Sequence, residues 1–234
     1  MSNLIRILAA GMTLQLLVAC NTLQPARMAL PTQLAQGAQV VEIEGVGGGT
    51  RGEFTLGQRP GKFFRSSSRL QIFDIYDGRG ARLEYEFDGV KATCQARERQ
   101  LNLSFLNFSP KPMAYACSFS AAGKPVATSL ELQENKAGVA GALGQQSRRG
   151  QLLFSQSLLQ ITSVHELQGS PIRLRQPIGY RFELEGKVIG AVEINGGARI
   201  IYPHGQPPEV RKSVELASLA LGLFWDPGEY DLVE

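Results

Sequence analysis

The stretch that most limits what this chain can fold into lies near its C-terminus. Pro207-Pro208-Glu209 has the form of a helix start, with proline and an acid in the first turn. From Val214 the sequence runs VELASLALGLFW and stops before Asp226-Pro227-Gly228. Past Glu215 and Ser218 this helix is apolar on every side, and a helix that is apolar all round is buried all round. Its apolar part, about 12 residues, falls short of the roughly 20 needed to cross a bilayer. The rest of the chain must therefore build a shell around a helix over residues 208–225. Burying side chains such as Leu216, Leu219, Leu221, Leu223, Phe224 and Trp225 contributes roughly 1.5–3 kcal/mol each before entropy is counted.

The material for that shell is β. Val40–Glu44 alternates apolar and polar residues, the period of a half-buried strand. From Arg69 a meander begins, with a strand over Arg69–Tyr76 and a turn at Asp77-Gly78-Arg79-Gly80. Leu83, Tyr85 and Phe87 then alternate with Glu84 and Glu86, and Asp88-Gly89 turns into a strand with Val90, Ala92, Cys94 and Ala96 on one face. Gln100–Phe108 follows, and Ser109-Pro110-Lys111-Pro112 breaks it before Met113, Tyr115, Cys117 and Phe119 alternate in turn. Gly123-Lys124-Pro125 leads into Val126–Leu132. Residues 134–151 read as an exposed loop, with Arg148-Arg149 in solvent. Leu152–His165, Ile172–Arg175, Tyr180–Glu185, Val188–Ile194 and Ala198–Tyr202 complete the strands, with turns at Glu185-Gly186-Lys187 and Asn195-Gly196-Gly197. The fold class expected is mainly β: an antiparallel meander closing into a barrel around the C-terminal helix. The alternative is a β-sandwich capped by that helix.

The N-terminus carries an address. Arg6 precedes an apolar segment, Ile7 to Val18, and Leu17-Val18-Ala19-Cys20 ends it with a small residue directly before a cysteine. This resembles the lipobox of bacterial lipoproteins. The resemblance implies that residues 1–19 are a signal peptide cut before Cys20, and that the Cys20 thiol carries a diacylglycerol, with a further acyl chain such as palmitate at the new N-terminus. Each buried CH₂ contributes about 0.8 kcal/mol, and two or more chains hold firmly where one does not. Asn21 stands where an aspartate retains many Gram-negative lipoproteins at the inner membrane, so the resemblance implies the periplasmic face of the outer membrane. Residues 20–38, small, polar and punctuated by Pro25 and Pro31, read as the lipidated cysteine and a tether; residues 39–234 read as one β-rich domain.

Composition narrows the partners. Losing residues 1–19 removes only Arg6 from 24 Lys and Arg, leaving 23 against 21 Asp and Glu, a thin positive excess. Nucleic-acid binders concentrate basic charge, so nucleic acid is not expected as a partner. Beyond Cys20, the chain has only Cys94 and Cys117, an even pair on alternating apolar faces. In an oxidising compartment they read as a disulfide, with buried free thiols as the alternative. No ligand stands at metal-binding spacing from either, so no metal and no cofactor are expected.

Catalytic motifs are missing from the sequence. Gly47, Gly49 and Gly52 satisfy a G-x-G-x-x-G spacing, but Glu53–Gly61 cannot form the helix that would receive a pyrophosphate, so the run reads as a loop. The two histidines, His165 beside Glu166 and His204 in a turn, read as structural or solvent-facing. Neither His-Glu-x-x-His nor Gly-x-Ser-x-Gly occurs. Asp74 with Asp77 and Glu84 with Glu86 mark turns and wet faces, although a hydrolase's carboxylate pair can also assemble from distant positions.

Gly179-Tyr180-Arg181-Phe182-Glu183-Leu184-Glu185-Gly186-Lys187-Val188-Ile189-Gly190 and Val214–Asp226 together resemble the tubby-like barrel. Tubby C-terminal domains, phospholipid scramblases and plant LURP-one-related proteins share it: a closed sheet around a hydrophobic C-terminal helix. The resemblance implies the shape alone, because the basic cluster with which some relatives hold phosphoinositides has no match here. The function expected is a non-catalytic, periplasm-facing envelope lipoprotein, a binding or structural module for an envelope protein, lipid or cell-wall component. The alternatives are a periplasmic hydrolase with an acid pair or a Ser-based site, and a lipid carrier, whose cavity the helix would fill.

Overall fold

In the computed structural model the described residues are 26–72, 76–101, 111–135 and 145–226. Twelve strands follow one another: β1 Ala38–Glu44, β2 Arg51–Leu56, β3 Arg59–Ile72, β4 Tyr76–Phe87, β5 Val90–Leu101 and β6 Lys111–Ala121. Then come β7 Lys124–Asn135, β8 Ser147–Phe154, β9 Ser157–Val164, β10 Gly179–Leu184, β11 Lys187–Glu193 and β12 Arg199–Pro203. A single turn of helix, α1 (Thr32–Ala35), precedes them and α2 (Pro208–Gly222) follows. Every strand pairs antiparallel with its neighbours in sequence, and β1 pairs with β12 to close a barrel.

Alternation drives the closure. Ala81, Leu83, Tyr85 and Phe87 of β4, Val90, Ala92, Cys94 and Ala96 of β5, and Met113, Tyr115, Cys117 and Phe119 of β6 are buried, while the residues between them face out. Helix α2 joins that inner face. Ser213 to Leu221 are buried without a break; nine consecutive residues turn through well over two helical turns, so no side of that part of α2 is left wet, while Pro208, Glu209, Arg211 and Lys212 at its start are exposed. Tyr85 Oη donates to the Leu216 carbonyl at 2.8 Å and Tyr115 Oη to the Ala220 carbonyl at 2.6 Å. Gly190 of β11 lies against Val214, where an added Cβ would come within 2.8 Å of Cγ1. Phe224 and Trp225, expected in the core, are only half-buried at its edge.

Cys94 and Cys117 stand directly opposite each other on β5 and β6 and are joined by a disulfide. With its ends 23 positions apart in sequence, the bridge stabilises the fold by about 3 kcal/mol in the chain-entropy account.

Several local expectations change. Asp77–Gly80 is not a turn: these residues lie within β4, paired with Gln71 to Ser68 of β3, and the two strands pair as far as Ile72 and Tyr76. Glycine within a strand marks close approach as readily as a turn. Leu152–His165 is two strands, β8 and β9, hinged at Ser155, whose φ is 56°. Ile172–Arg175 is not a strand, since it has only one isolated bridge, Arg173 to Glu166. The Gln100–Phe108 strand is seen only to Leu101; its remainder lies outside the described residues. The folded part also starts earlier than residue 39. Met28 and Leu34 are buried with Val164, Ile178, Ala191 and Ile201 in a second, smaller core on the outer wall of β10 to β12.

Candidate functional site

The two ends of the barrel are built differently. At one end, β2–β3, β4–β5, β6–β7, β8–β9 and β10–β11 are each joined by two residues. Asp88-Gly89, Ala122-Gly123 and Glu185-Gly186 have positive φ at both positions, the geometry that matches strand twist in tight hairpins. At the other end the connections are longer: 45–50, 73–75, 102–110, 136–146, 165–178 and 194–198. Loops free of such constraint carry binding surfaces in many folds, and this long-connection end also receives both flanking segments of the chain.

The C-terminal end of α2 opens there. Arg65 of β3, buried, donates from Nε to the Gly49 carbonyl at 3.1 Å, from Nη1 to the Leu223 carbonyl at 3.4 Å and from Nη2 to the Gly47 carbonyl. Its guanidinium lies 4.7 Å from the Trp225 ring centroid and 5.0 Å from that of Phe63. A cation is favourable beside the carbonyls that end a helix. Residues 45–50 are thus a loop whose Gly47 and Gly49 carbonyls are held by Arg65, whereas Gly52, expected in the loop, lies in β2, and no helix N-terminus receives the run.

Arg148 corrects a sequence expectation. It is buried in β8, not solvated: it donates to Asp226 Oδ2 and, at 3.1 Å, to Tyr180 Oη. Its position on the inward row with Gly150 and Leu152 takes it out of water. Burial disfavours its charge, but Tyr180 and Asp226 outweigh burial and raise its pKa. Arg149 is exposed, as expected.

On the outer wall at the same end, Glu193 is fully buried between Arg27 (3.3 Å) and Arg199 (2.7 Å). Asn195 Nδ2 donates to the Ala26 carbonyl at 2.7 Å, and the Gln168 N–H donates to the Arg27 carbonyl at 2.8 Å. From here residues 28–37 run along β10 to β12 to the opposite end, where Ala38 pairs with Pro203. At that opposite end Glu215 of α2, 3% exposed, is held by Arg59 at 2.6 Å, and Arg59 also reaches Asp88 at 2.5 Å.

His165 is buried near the start of the β9–β10 connection. Its Nδ1 faces the Leu174 carbonyl at 3.1 Å, which can only accept, so Nδ1 carries the proton and Nε2 accepts from Ser163 Oγ at 2.9 Å. Ser163 Oγ in turn accepts from the Arg148 backbone N–H. Burial lowers the His165 pKa, against the hydrogen bond to Leu174 and the charge of Glu166. Neither residue lines the two clefts described below, so this pair fastens a loop.

Both clefts lie on the outer wall of β2 to β6. One, of about 550 Å³, is bordered by Pro60, Lys62, Asp88, Lys91 and Ser120; the other, of about 420 Å³, by Arg51, Phe64, Arg82 and Glu84. Their charges are paired: Lys62 with Glu53 at 3.7 Å, Lys91 with Glu84 at 3.3 Å, and Arg82 with Glu84. Burial would raise the Glu84 pKa, but hydrogen bonds from Lys91 and Arg82 lower it. Glu84 and Glu86 therefore belong to a charged outer wall, and both line the smaller cleft. Asp74 and the side chain of Asp77 lie outside what is described, as does Cys20. Among the described residues no group of three or more His, Cys, Asp or Glu is placed to hold a metal ion.

No family model, no curated protein and no solved structure matches this chain.

Proposed function

We propose that this protein is a lipid-anchored, non-catalytic barrel of a bacterial envelope, held by acyl chains on Cys20 and presenting its surface to a periplasmic partner. Leu17-Val18-Ala19-Cys20, closing an apolar segment of signal-peptide length, carries this reading. The barrel's polarity supports it. A barrel that spans a membrane is apolar outside and polar inside. Here the strands show the reverse, with Arg82, Glu84, Glu86, Lys91 and Gln95 outside and Leu83, Tyr85, Ala92 and α2 inside. Such a wall belongs in water, so membrane residence falls to the anchor. The Cys94–Cys117 bridge supports an oxidising compartment. The closed barrel and its C-terminal helix support the likeness to tubby-like barrels as a likeness of shape.

The test is made on the full chain in a Gram-negative host. Mass spectrometry of the N-terminal peptide is expected to find a diacylated Cys20, and Cys20→Ser is expected to block processing and acylation. Inhibiting the lipoprotein signal peptidase should accumulate the uncut form. Normal processing of Cys20→Ser, or an unmodified Cys20 in the mature protein, overturns the proposal.

A further inference from the structure

The segment before β1, residues 26–37, lies as a strap on the outer wall of β10 to β12, with its Met28 and Leu34 buried against that wall. The first residues of the strap are held from the β11–β12 turn. Asn195 Nδ2 donates to the Ala26 carbonyl at 2.7 Å, and Glu193, two residues earlier, meets Arg27 at 3.3 Å. A carbonyl only accepts, so the Asn195 atom that faces Ala26 is the amide nitrogen and not the oxygen. Asn195 is also the chain's single asparagine followed by glycine. Gly196 and Gly197 are exposed, with φ of 70° and 106°, a conformation open to glycine and strained for other residues. Gly196 has no side chain to shield its nitrogen, and none of the backbone hydrogen bonds of the described turns and loops uses its N–H.

We propose that Asn195 is a site of spontaneous amide-to-acid modification, and that its conversion releases the strap. The Gly196 nitrogen gives up its proton and attacks Asn195 Cγ. The Cγ–Nδ2 bond breaks, and Nδ2 takes that proton and leaves as ammonia. The five-membered imide that remains is opened by water. Opening at Cγ gives aspartate. Opening at the main-chain carbon of residue 195 gives isoaspartate, which sends the backbone through Cβ and lengthens the turn by one carbon. Water is the only co-reactant. Both products set a carboxylate, which only accepts, where an amide donated to the Ala26 carbonyl. A hydrogen bond becomes a repulsion between two acceptors. The new charge also stands two residues from the fully buried Glu193 and competes with it for Arg27. Each effect loosens the first ties of the strap. Nothing in this chemistry requires acylation of Cys20.

The experiment ages the full chain for days in mildly alkaline buffer at body temperature. In its tryptic peptide Val188–Arg199, mass spectrometry is expected to find aspartate and isoaspartate in place of Asn195, with no other asparagine converting as fast. Brief trypsin treatment of the native protein then reads the strap through the bond after Arg27. Aged protein, and fresh Asn195→Asp, should be cut there several-fold faster than fresh unaltered protein. Asn195→Gln keeps an amide but closes the imide ring far more slowly, so its cutting should not change on ageing. An Asn195 that stays intact through ageing overturns the modification site. Conversion of Asn195, or Asn195→Asp, with cutting after Arg27 unchanged overturns release of the strap. An equal rise in cutting when Asn195→Gln is aged overturns it as well.

Discussion

Arg148 of β8 and Asp226 beyond α2 meet as an ion pair away from water, their side chains 3% and 9% exposed. Removing one member of a buried pair strands the other charge and costs about 3–5 kcal/mol, whereas replacing both with apolar groups of similar size is often neutral. Arg148→Met is therefore expected to lower stability by that amount in urea unfolding. Arg148→Met with Asp226→Leu should recover most of it. A double variant as unstable as the single one would mean that Arg148 acts through packing alone.

At Gly190 the wall of β11 packs directly against the helix. A methyl group there meets Val214 Cγ1 at 2.8 Å, with the Ile201 carbonyl at 3.3 Å behind it. Gly190→Ala should cost about 1–3 kcal/mol through overpacking. Gly190→Ala combined with Val214→Ala should recover part of the loss, a coupling that a double-mutant cycle reads directly.

Polar contacts inside the barrel predict effects of opposite sign. Tyr115→Phe takes a donor from the Ala220 carbonyl in the last turn of α2 and should cost about 1–3 kcal/mol. Ser218 is fully buried, and its Oγ finds no hydrogen-bond partner among the described residues. Ser218→Ala removes that unmet group and should raise stability by about 1 kcal/mol. Thermal melts of the two variants should move in opposite directions.

Acid should loosen the fold through His165 before it reaches the carboxylates. Its folded pKa is depressed by burial, so below the unfolded value of about 6.5 the unfolded chain takes up the proton first. Stability from this group is complete above that value and falls as pH drops toward the folded pKa. Glu84 and Glu166, whose pKa values are also lowered, lose their contributions only at more acidic pH, below the ordinary glutamate range. Melting temperature should therefore be flat from about pH 8 to 7 and begin to decline as pH falls below about 6.5. In His165→Gln that first decline should vanish.

What the sequence made legible follows from where the signal lies. An uninterrupted apolar helix has one solution, burial on all sides, and α2 takes it. Cys94 and Cys117 sit on clean two-residue alternations, so their meeting across β5 and β6 was readable. Arg148 was not, because a buried arginine reads as a wet one until its partners, Tyr180 and Asp226, are seen, and both are remote in sequence. Met28 and Leu34 were hidden likewise: two apolar residues in a polar, proline-containing stretch have no period. Arg65 carried no local mark at all, since its acceptors are backbone carbonyls of Gly47, Gly49 and Leu223, which any sequence supplies.

The hydrogen bonds between β1 and β12 have a consequence for crowding. Sheets that stop short of a ring expose a row of unmet amides and carbonyls along which further copies add wherever copies are crowded together. Among the described residues each of the twelve strands has a partner on both sides, so no strand is left as a free edge over its whole length. Copies of this protein standing shoulder to shoulder therefore meet without a whole free strand to template stacking.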